Sequence, residues 1–478
     1  MPTRRPNAPP SFNRSGERLE PLFAASLLPP FERPNVMLLR TGFLVLGLAL
    51  VTVLTLAESK AESAAKVQHV MSEGGIEAYL ISEPSIPFMS LSMRFDGGAV
   101  SDPDGKEGVA NLVSGLLDEG AGDLDSQAFQ TELEDLAIRL SFSAGRDGFN
   151  GDLKTLTENR ERAFELLRLA LTEPRFDDEP VERIQSQIQA SLRRRLDDPD
   201  RLASRNWFER AFEGHVYARP VEGTIESVAD ITEDDLRTFV GGRLARDNLL
   251  IGVAGDITAE ELGPLLDHAF GGLPESAAPL PETTVAPQQH GISVVRQEVP
   301  QSKVLFGQKG LMRDDPDFYA AYVANHILGG GGFSSRLTAE IREARGLAYS
   351  VYSYLYPADL APIWLGGLGT SNASVTQALD LVHAEVKRMA EGDIGEQELQ
   401  DAKTYLTGSF PLRLTSNDRI AGLLVSMQVS ELGIDYLEKR NSFIEAVTLD
   451  DLKRVAARLY DPDNLLTVVV GDPPDIEG

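Results

Sequence analysis

Short apolar runs and helical periodicities alternate along this chain, and they predict two similar sets of elements. Strands are expected at "IEAYLIS" from Ile76 and "FMSLSMRF" from Phe88. Helical spacing follows over Glu107–Leu117 and again over Ser126–Leu136, with Ser126 as the N-cap. "IRLSFSAGRDGFNGDLKTL" reads as two strands joined by a turn at Arg146–Gly148. Long helical stretches cover Glu158–Leu171 and Asp178–Leu196, and the half closes with the strand "LLIGVAG" and a helix over Ala259–Phe270. The second half repeats the plan: strands "ISVVRQEV" and "SKVLFGQKG", a helix in "DPDFYAAYVANHILGG", further strands and long helices, and a closing "NLLTVVVGD".

The repetition extends to the wording. "ITEDDLRTFV" begins at Ile231 and "VTLDDLKRVA" at Val447, an offset of 216. The same offset separates "RDNLLIGVAGD" from "PDNLLTVVVGD". Laid together without gaps, Ile231–Asp256 and Val447–Asp472 share 11 of 26 positions. A period this long is a duplicated domain, not a solenoid repeat. Between the copies, "GGLPESAAPLPETTVAPQQ" carries four prolines and little periodicity, as a linker does. The expected organisation is a domain over 58–270, a linker over 271–290 and a domain over 291–478. Each domain has hairpins beside long helices, so the fold class is α+β with mostly antiparallel sheets packed against helices.

Charge and cysteine content narrow the chemistry. A net charge of −28 argues against a nucleic-acid partner, whose phosphates require a basic surface. The absence of cysteine removes disulfides, thiolate nucleophiles and Cys-ligated metals together. Residues 1–36 are rich in Pro and Arg and read as disordered or upstream of the true start. Residues 37–57 place Arg40 before an apolar run from Thr41 to Leu56 and end at Ala57, the pattern of a signal peptide, with an uncleaved anchor as the alternative. The expected location is periplasmic.

No self-contained catalytic centre is visible. The six histidines, His69, His215, His268, His290, His326 and His383, all lie more than five residues apart, so neither HExxH nor HxxEH occurs. There is no GxSxG elbow and no phosphate-binding loop.

One passage stands out: "GGGGFSSRLTAEIREARGLAYSVYSYL", from Gly329 to Leu355. Read locally it is a glycine loop, a surface helix with an Arg336/Glu340 pair at i, i+4, and a core strand. Its wording resembles the C-terminal domains of the insulinase/pitrilysin family of zinc metallopeptidases, the inverzincins, and "HVYARPVEGT" from His215 resembles that family's HPYGxPxxGT. The resemblance covers roughly Val67 to Asp472 and implies one half of a clamshell built from two homologous domains. It further implies that Arg342 and Tyr349 reach an active site, with Gly330, Gly331 and Ser335 beside the substrate. A guanidinium can grip substrate carbonyls and a phenol can hydrogen-bond a forming oxyanion.

The departure from the family is as informative. Where the zinc helix reads GxAHFLEHxxxxG, this chain has "GVANLVSGLLDEG" from Gly108. Asn111 and Gly115 replace the two histidine ligands and Ser114 replaces the glutamate base. No acidic residue lies between Arg183 and Asp197, where the distal ligand would fall. The expectation is therefore a subunit that binds no metal and no cofactor itself. Its expected partner is an HxxEH-bearing homologue holding zinc, and its expected substrate is a peptide. A homodimer is expected where the partner is missing. The rival expectation is a catalytically inert peptide-binding or scaffold protein of the same fold.

Overall fold

A computed structural model of the chain describes residues 66–281 and 283–476; the two N-terminal segments anticipated above lie outside them. The strands are β1 (Gln68–Met71), β2 (Glu77–Ser82), β3 (Phe88–Asp96), β4 (Arg139–Ala144), β5 (Gly148–Leu156), β6 (Leu249–Gly255), β7 (Gly291–Arg296), β8 (Gln301–Lys309), β9 (Ala348–Pro357), β10 (Pro362–Ser371) and β11 (Leu466–Gly471). In the first half the helices are α1 (Val109–Ser114), α2 (Ser126–Asp135), α3 (Arg160–Thr172), α4 (Asp178–Arg195), α5 (Pro199–Ala211), α6 (Ile225–Asp230), α7 (Glu233–Arg243) and α8 (Ala259–Phe270). In the second they are α9 (Phe318–Asn325), α10 (Val375–Ala390), α11 (Glu396–Gly408), α12 (Asn417–Val429), α13 (Tyr436–Glu445) and α14 (Leu449–Leu459).

The strands form two sheets, ordered β1-β2-β6-β3-β5-β4 and β7-β11-β8-β10-β9. Leaving out β1, the orders correspond strand for strand. In each sheet the strand closing the repeat pairs parallel with the first of its half, β6 with β2 and β11 with β7, and all other pairings are antiparallel. The α+β class and the duplication are thus both present in the backbone.

The repeated words have identical local jobs. Thr232 and Thr448 each cap a helix, α7 and α14, by accepting from the amide of Asp235 or Asp451, whose carboxylates accept in return from the threonine amides. Such reciprocal caps satisfy two amides that a helix start otherwise leaves unpaired. Gly255 and Gly471, the glycines of the two Gly–Asp endings, both take positive φ, at 128° and 156°. A Cβ at Gly255 would sit 2.4 Å from the Phe88 carbonyl oxygen, and one at Gly471 would sit 2.2 Å from the Ser302 hydroxyl, so any side chain there is excluded.

The halves are interlocked in a way periodicity does not reveal. Helix α5, from the first half, packs on β8 and β11 of the second sheet, while α12, from the second half, packs on β2, β3 and β6 of the first. Trp207 on α5 is fully buried and donates Nε1–H to the Leu466 carbonyl at 3.0 Å. Gln428 on α12 answers with Nε2 to the Ile251 carbonyl at 2.8 Å. Each helix therefore closes the apolar face of the other half's sheet. The approach of α12 is close enough to require glycine: a Cβ at Gly252 would lie 2.2 Å from the Ala421 carbonyl oxygen. Gly252→Ala should cost roughly 1–3 kcal/mol by forcing α12 off the sheet, read as a lower denaturant midpoint; an unchanged midpoint would mean that α12 is free to shift.

Several expected boundaries move. Ser126 is the first residue of α2 rather than its cap; Asp125 caps it by accepting from the Ala128 amide at 2.9 Å, and the Ser126 hydroxyl donates instead to Glu119. Residues 271–290, Glu282 aside, contain no helix or strand, yet they are tied down: the Ala278 amide donates to Gly242, Val285 to Leu360 and Gln288 to Ala211.

Candidate functional site

Site residues come from one corner of the second sheet, where α9 runs into the glycine loop and then into the edge strand β9. Helix α9 does not end at a cap; the chain widens into a π-helical turn over His326–Gly330. A second π-helical segment, Thr338–Glu343, carries Arg342. Such wide turns cost helix geometry and recur at functional positions. Asn325 pins the first turn to the sheet: its Oδ1 accepts from Trp364 Nε1 at 2.9 Å and from the Ser353 hydroxyl at 2.8 Å, and its Nδ2 donates to the Ser353 carbonyl. His326 is buried and its ring stacks on Tyr405 with centroids 5.0 Å apart; burial lowers its pKa.

Arg342 and Tyr349, predicted as a pair, are brought together. The Arg342 guanidinium lies 5.2 Å from the Tyr349 ring centroid and 4.8 Å from that of Phe333. Two aromatic faces thus hold the cation without consuming its donors, and among the described residues Arg342 makes no ion pair. Tyr349 is 80% exposed and Phe333 68% exposed. Tyr349 owes its aim to an irregular register: Gly369 pairs with Ser350 and Thr370 with Ala348, leaving Tyr349 as the extra residue of a β-bulge. A bulge breaks the alternation of the strand and re-aims a side chain. Here both Tyr349 and Ser350 face outward.

Phe333 is the contributor the sequence reading missed. It stands among small residues just before "SSRL", and its partner in space has no sequence signature.

The neighbouring residues divide differently from expectation. Ser335 is fully buried, and its hydroxyl donates to the Gly332 carbonyl at 2.8 Å and meets Thr338 Oγ1 at 3.0 Å. It braces the loop, with its hydroxyl turned away from solvent. Gly330 is exposed and Gly331 half-buried. A Cβ on Gly331 would meet the His326 carbonyl oxygen at 2.7 Å, so the tight turn alone requires that glycine. The expected Arg336/Glu340 pair does not form, because the π-helical winding places i+5 where i+4 would lie. Arg336 instead forks onto Glu398, with Nε and Nη2 both 2.7 Å from its carboxylate, and Glu340 pairs with Arg345.

The degenerate zinc helix is intact as structure. Asp102 accepts from the Gly108 and Ala110 amides at 2.7 and 2.9 Å and anchors the start of α1; burial pushes its carboxyl up to about 7 against those bonds. Ser114 donates its hydroxyl to the Asn111 carbonyl at 2.8 Å, and Gly115 follows the helix. A Cβ at Gly115 would press on Ile184 of α4 at 3.2 Å. An amide, an engaged hydroxyl, a glycine and an acid-free stretch of α4 do not make a zinc site, which needs at least three donor side chains. Among the described residues no cluster of three His, Cys, Asp or Glu could hold a metal. The triple variant Asn111→His, Ser114→Glu, Gly115→His should still leave dialysis with far less than one zinc per chain, because the stretch of α4 after Arg183 supplies no third donor; stoichiometric zinc would contradict this.

Residues 78–225 match the family model described as insulinase, peptidase family M16, and residues 230–406 match the one described as the peptidase M16 inactive domain. The chain belongs to peptidase family M16. Among M16 relatives, it is 32% identical over 330 residues to a protein of Helicobacter pylori named non-peptidase homolog YmxG, a match covering 68% of this chain and 75% of that one. It is 26% identical to an uncharacterized zinc protease of Mycobacterium leprae, covering 85% of this chain and 92% of the relative. A crystal structure described as a peptidase M16 inactive domain from Pseudomonas fluorescens superposes with a TM-score of 0.80 at 28% identity, covering 85% and 98% of the two chains. Together with the altered helix at Asn111, the inactive-domain match and the Helicobacter and Pseudomonas likenesses support an inactive member of the M16 family.

Proposed function

We infer that this chain is the non-zinc-binding subunit of a periplasmic heterodimeric zinc metallopeptidase. Its partner would be an HxxEH-bearing homologue that holds the zinc and the general base. This chain would close the peptide chamber and present Arg342 and Tyr349 to the partner's site. The observation that carries the reading is the outward pair itself: a cation held between two rings beside a bulged, exposed phenol. A scaffold has no need of a guanidinium that pairs with no carboxylate among the described residues next to a phenol kept out of the core. In the assembled site, Arg342 would bind a substrate carbonyl through its fork and Tyr349 would donate to the oxyanion forming on the scissile carbon. Gly330 and Gly331 would let substrate backbone pass close to the loop. Export rests on the apolar run from Thr41 to Leu56 behind Arg40.

The second reading, an inert peptide-binding or scaffold protein, is favoured by likeness to the Helicobacter relative, named a non-peptidase homolog. Co-purification separates the two. The tagged chain expressed beside the HxxEH homologue of the same genome should retain it at one to one through gel filtration. Recovery of this chain only by itself or as a homodimer would remove the basis for a shared site.

A further inference from the structure

A cavity of about 540 Å³ opens between the last turn of α4, helix α5, the segment 218–224 and the start of α6, away from the Arg342 corner. That volume falls within the range of small-ligand sites. Its lining contrasts with the rest of the molecule. In a chain of net charge −28, Arg146, Arg195, Arg201, Arg205 and Arg219 converge on this one space, against Glu222 and Glu226. The wall between the guanidiniums is apolar, chiefly Leu196, Leu202 and Phe208.

The guanidiniums are incompletely neutralised. Arg195 and Arg201 share one carboxylate, that of Glu222, at 3.0 and 3.6 Å. Among the described residues Arg205 pairs with only its helical neighbour Glu209, at 2.6 Å, and Arg219 leans on Asp104, whose side chain is 90% exposed. Arg146 has no carboxylate within ion-pair distance among the described residues. Its Nη1 donates to the Tyr217 and Arg219 carbonyls at 2.6 and 3.2 Å, and its plane lies over the Phe208 ring at 4.2 Å. Burial lowers the pKa of this guanidinium, so an incoming anion would relieve the cost of keeping it charged. Exposed pairs such as Arg205 with Glu209 hold weakly and exchange readily for a better-placed carboxylate.

We propose that this arginine-lined cavity binds the carboxylate of a peptide, with an adjoining apolar side chain on the Leu196/Phe208 wall. Forked guanidiniums match the carboxylate, and the apolar wall together with the volume favours a peptide over a small inorganic anion. The proposal adds a substrate feature to the peptide-handling reading above, yet its test needs neither partner nor turnover, so the two can fail separately.

The experiment is calorimetric titration of the full chain with three leucine-rich, acetylated peptides: one with a free C-terminal carboxylate and no acidic side chain, its C-terminal amide, and an amide carrying one internal Glu. Binding of the first or the third, with none for the acid-free amide, supports the site and says which carboxylate it reads. Arg201→Gln/Arg205→Gln alters side chains that are 57% and 49% exposed, so folding should survive while affinity falls at least tenfold. Glu222→Gln frees two arginines and should tighten binding about threefold, a gain that misfolding cannot imitate. Equal binding of the acid-free amide, no binding of either carboxylate peptide, saturation by inorganic phosphate instead, or unchanged affinity in the double variant would overturn the proposal.

Discussion

Tyr349→Phe, mixed with the HxxEH homologue, should lower peptide kcat by about 10²–10³-fold, with little change in KM and no change in the stability of this chain. The physical basis is local. The phenol is 80% exposed and bulged from an edge strand, so loss of its hydroxyl removes no core packing and no internal hydrogen bond. Only an interaction made in the transition state should disappear, and that pattern lowers kcat and kcat/KM together. Arg342→Lys should behave differently, raising KM as well, because an ammonium keeps the charge but loses the fork. Phe333→Ala should produce a weaker version of the arginine defect, since one of the two rings holding the guanidinium is removed. Wild-type rates for Tyr349→Phe in the mixture would mean that the phenol serves docking or nothing.

Trp207→Ala should destabilise the chain by about 3–5 kcal/mol, the usual cost of truncating a buried aromatic side chain. The indole is fully buried against the second sheet, makes edge contacts with Phe208 and Phe212 at 5.2 and 6.0 Å, and satisfies the Leu466 carbonyl. Because α5 belongs to the first half but closes the sheet of the second, the loss should weaken both halves. Denaturant unfolding followed by near-ultraviolet circular dichroism and by backbone signal should show both transitions moving down together. A shift confined to one half would contradict the interlocking. A similarly argued but smaller loss, about 1 kcal/mol, is expected for Gln428→Ala.

The parts of this fold legible in the sequence are those set by local chemistry. Thr232 and Thr448 could be read because a capping box is encoded within four residues, and the two Gly–Asp endings because a close backbone approach excludes every other residue. The exchange of α5 and α12 was not legible: Trp207 and Leu466 are 259 residues apart, and an apolar helix face does not say which sheet it covers. At the site, motif wording singled out Arg342 and Tyr349, whose side chains do lie side by side, but not the geometry that holds them. The Arg336/Glu340 pairing assumed α-helical spacing in a segment wound as a π-helix, while the true partner, Glu398, lies on α11. The bulge that turns Tyr349 outward depends on register with β10, a non-local property. Phe333 escaped because cation–π contacts across nine residues of loop and irregular helix have no sequence period. Ser335, which the wording places both in the loop and near substrate, is buried within the loop.

The most direct measurement is peptidase turnover of the purified chain, of the HxxEH homologue and of the two mixed, with zinc quantified in each. Expected are no zinc and no turnover in this chain alone, zinc in the homologue, and turnover that rises steeply on mixing and saturates at one to one. Full activity of the homologue by itself, or zinc-dependent activity in this chain without it, would contradict a shared site.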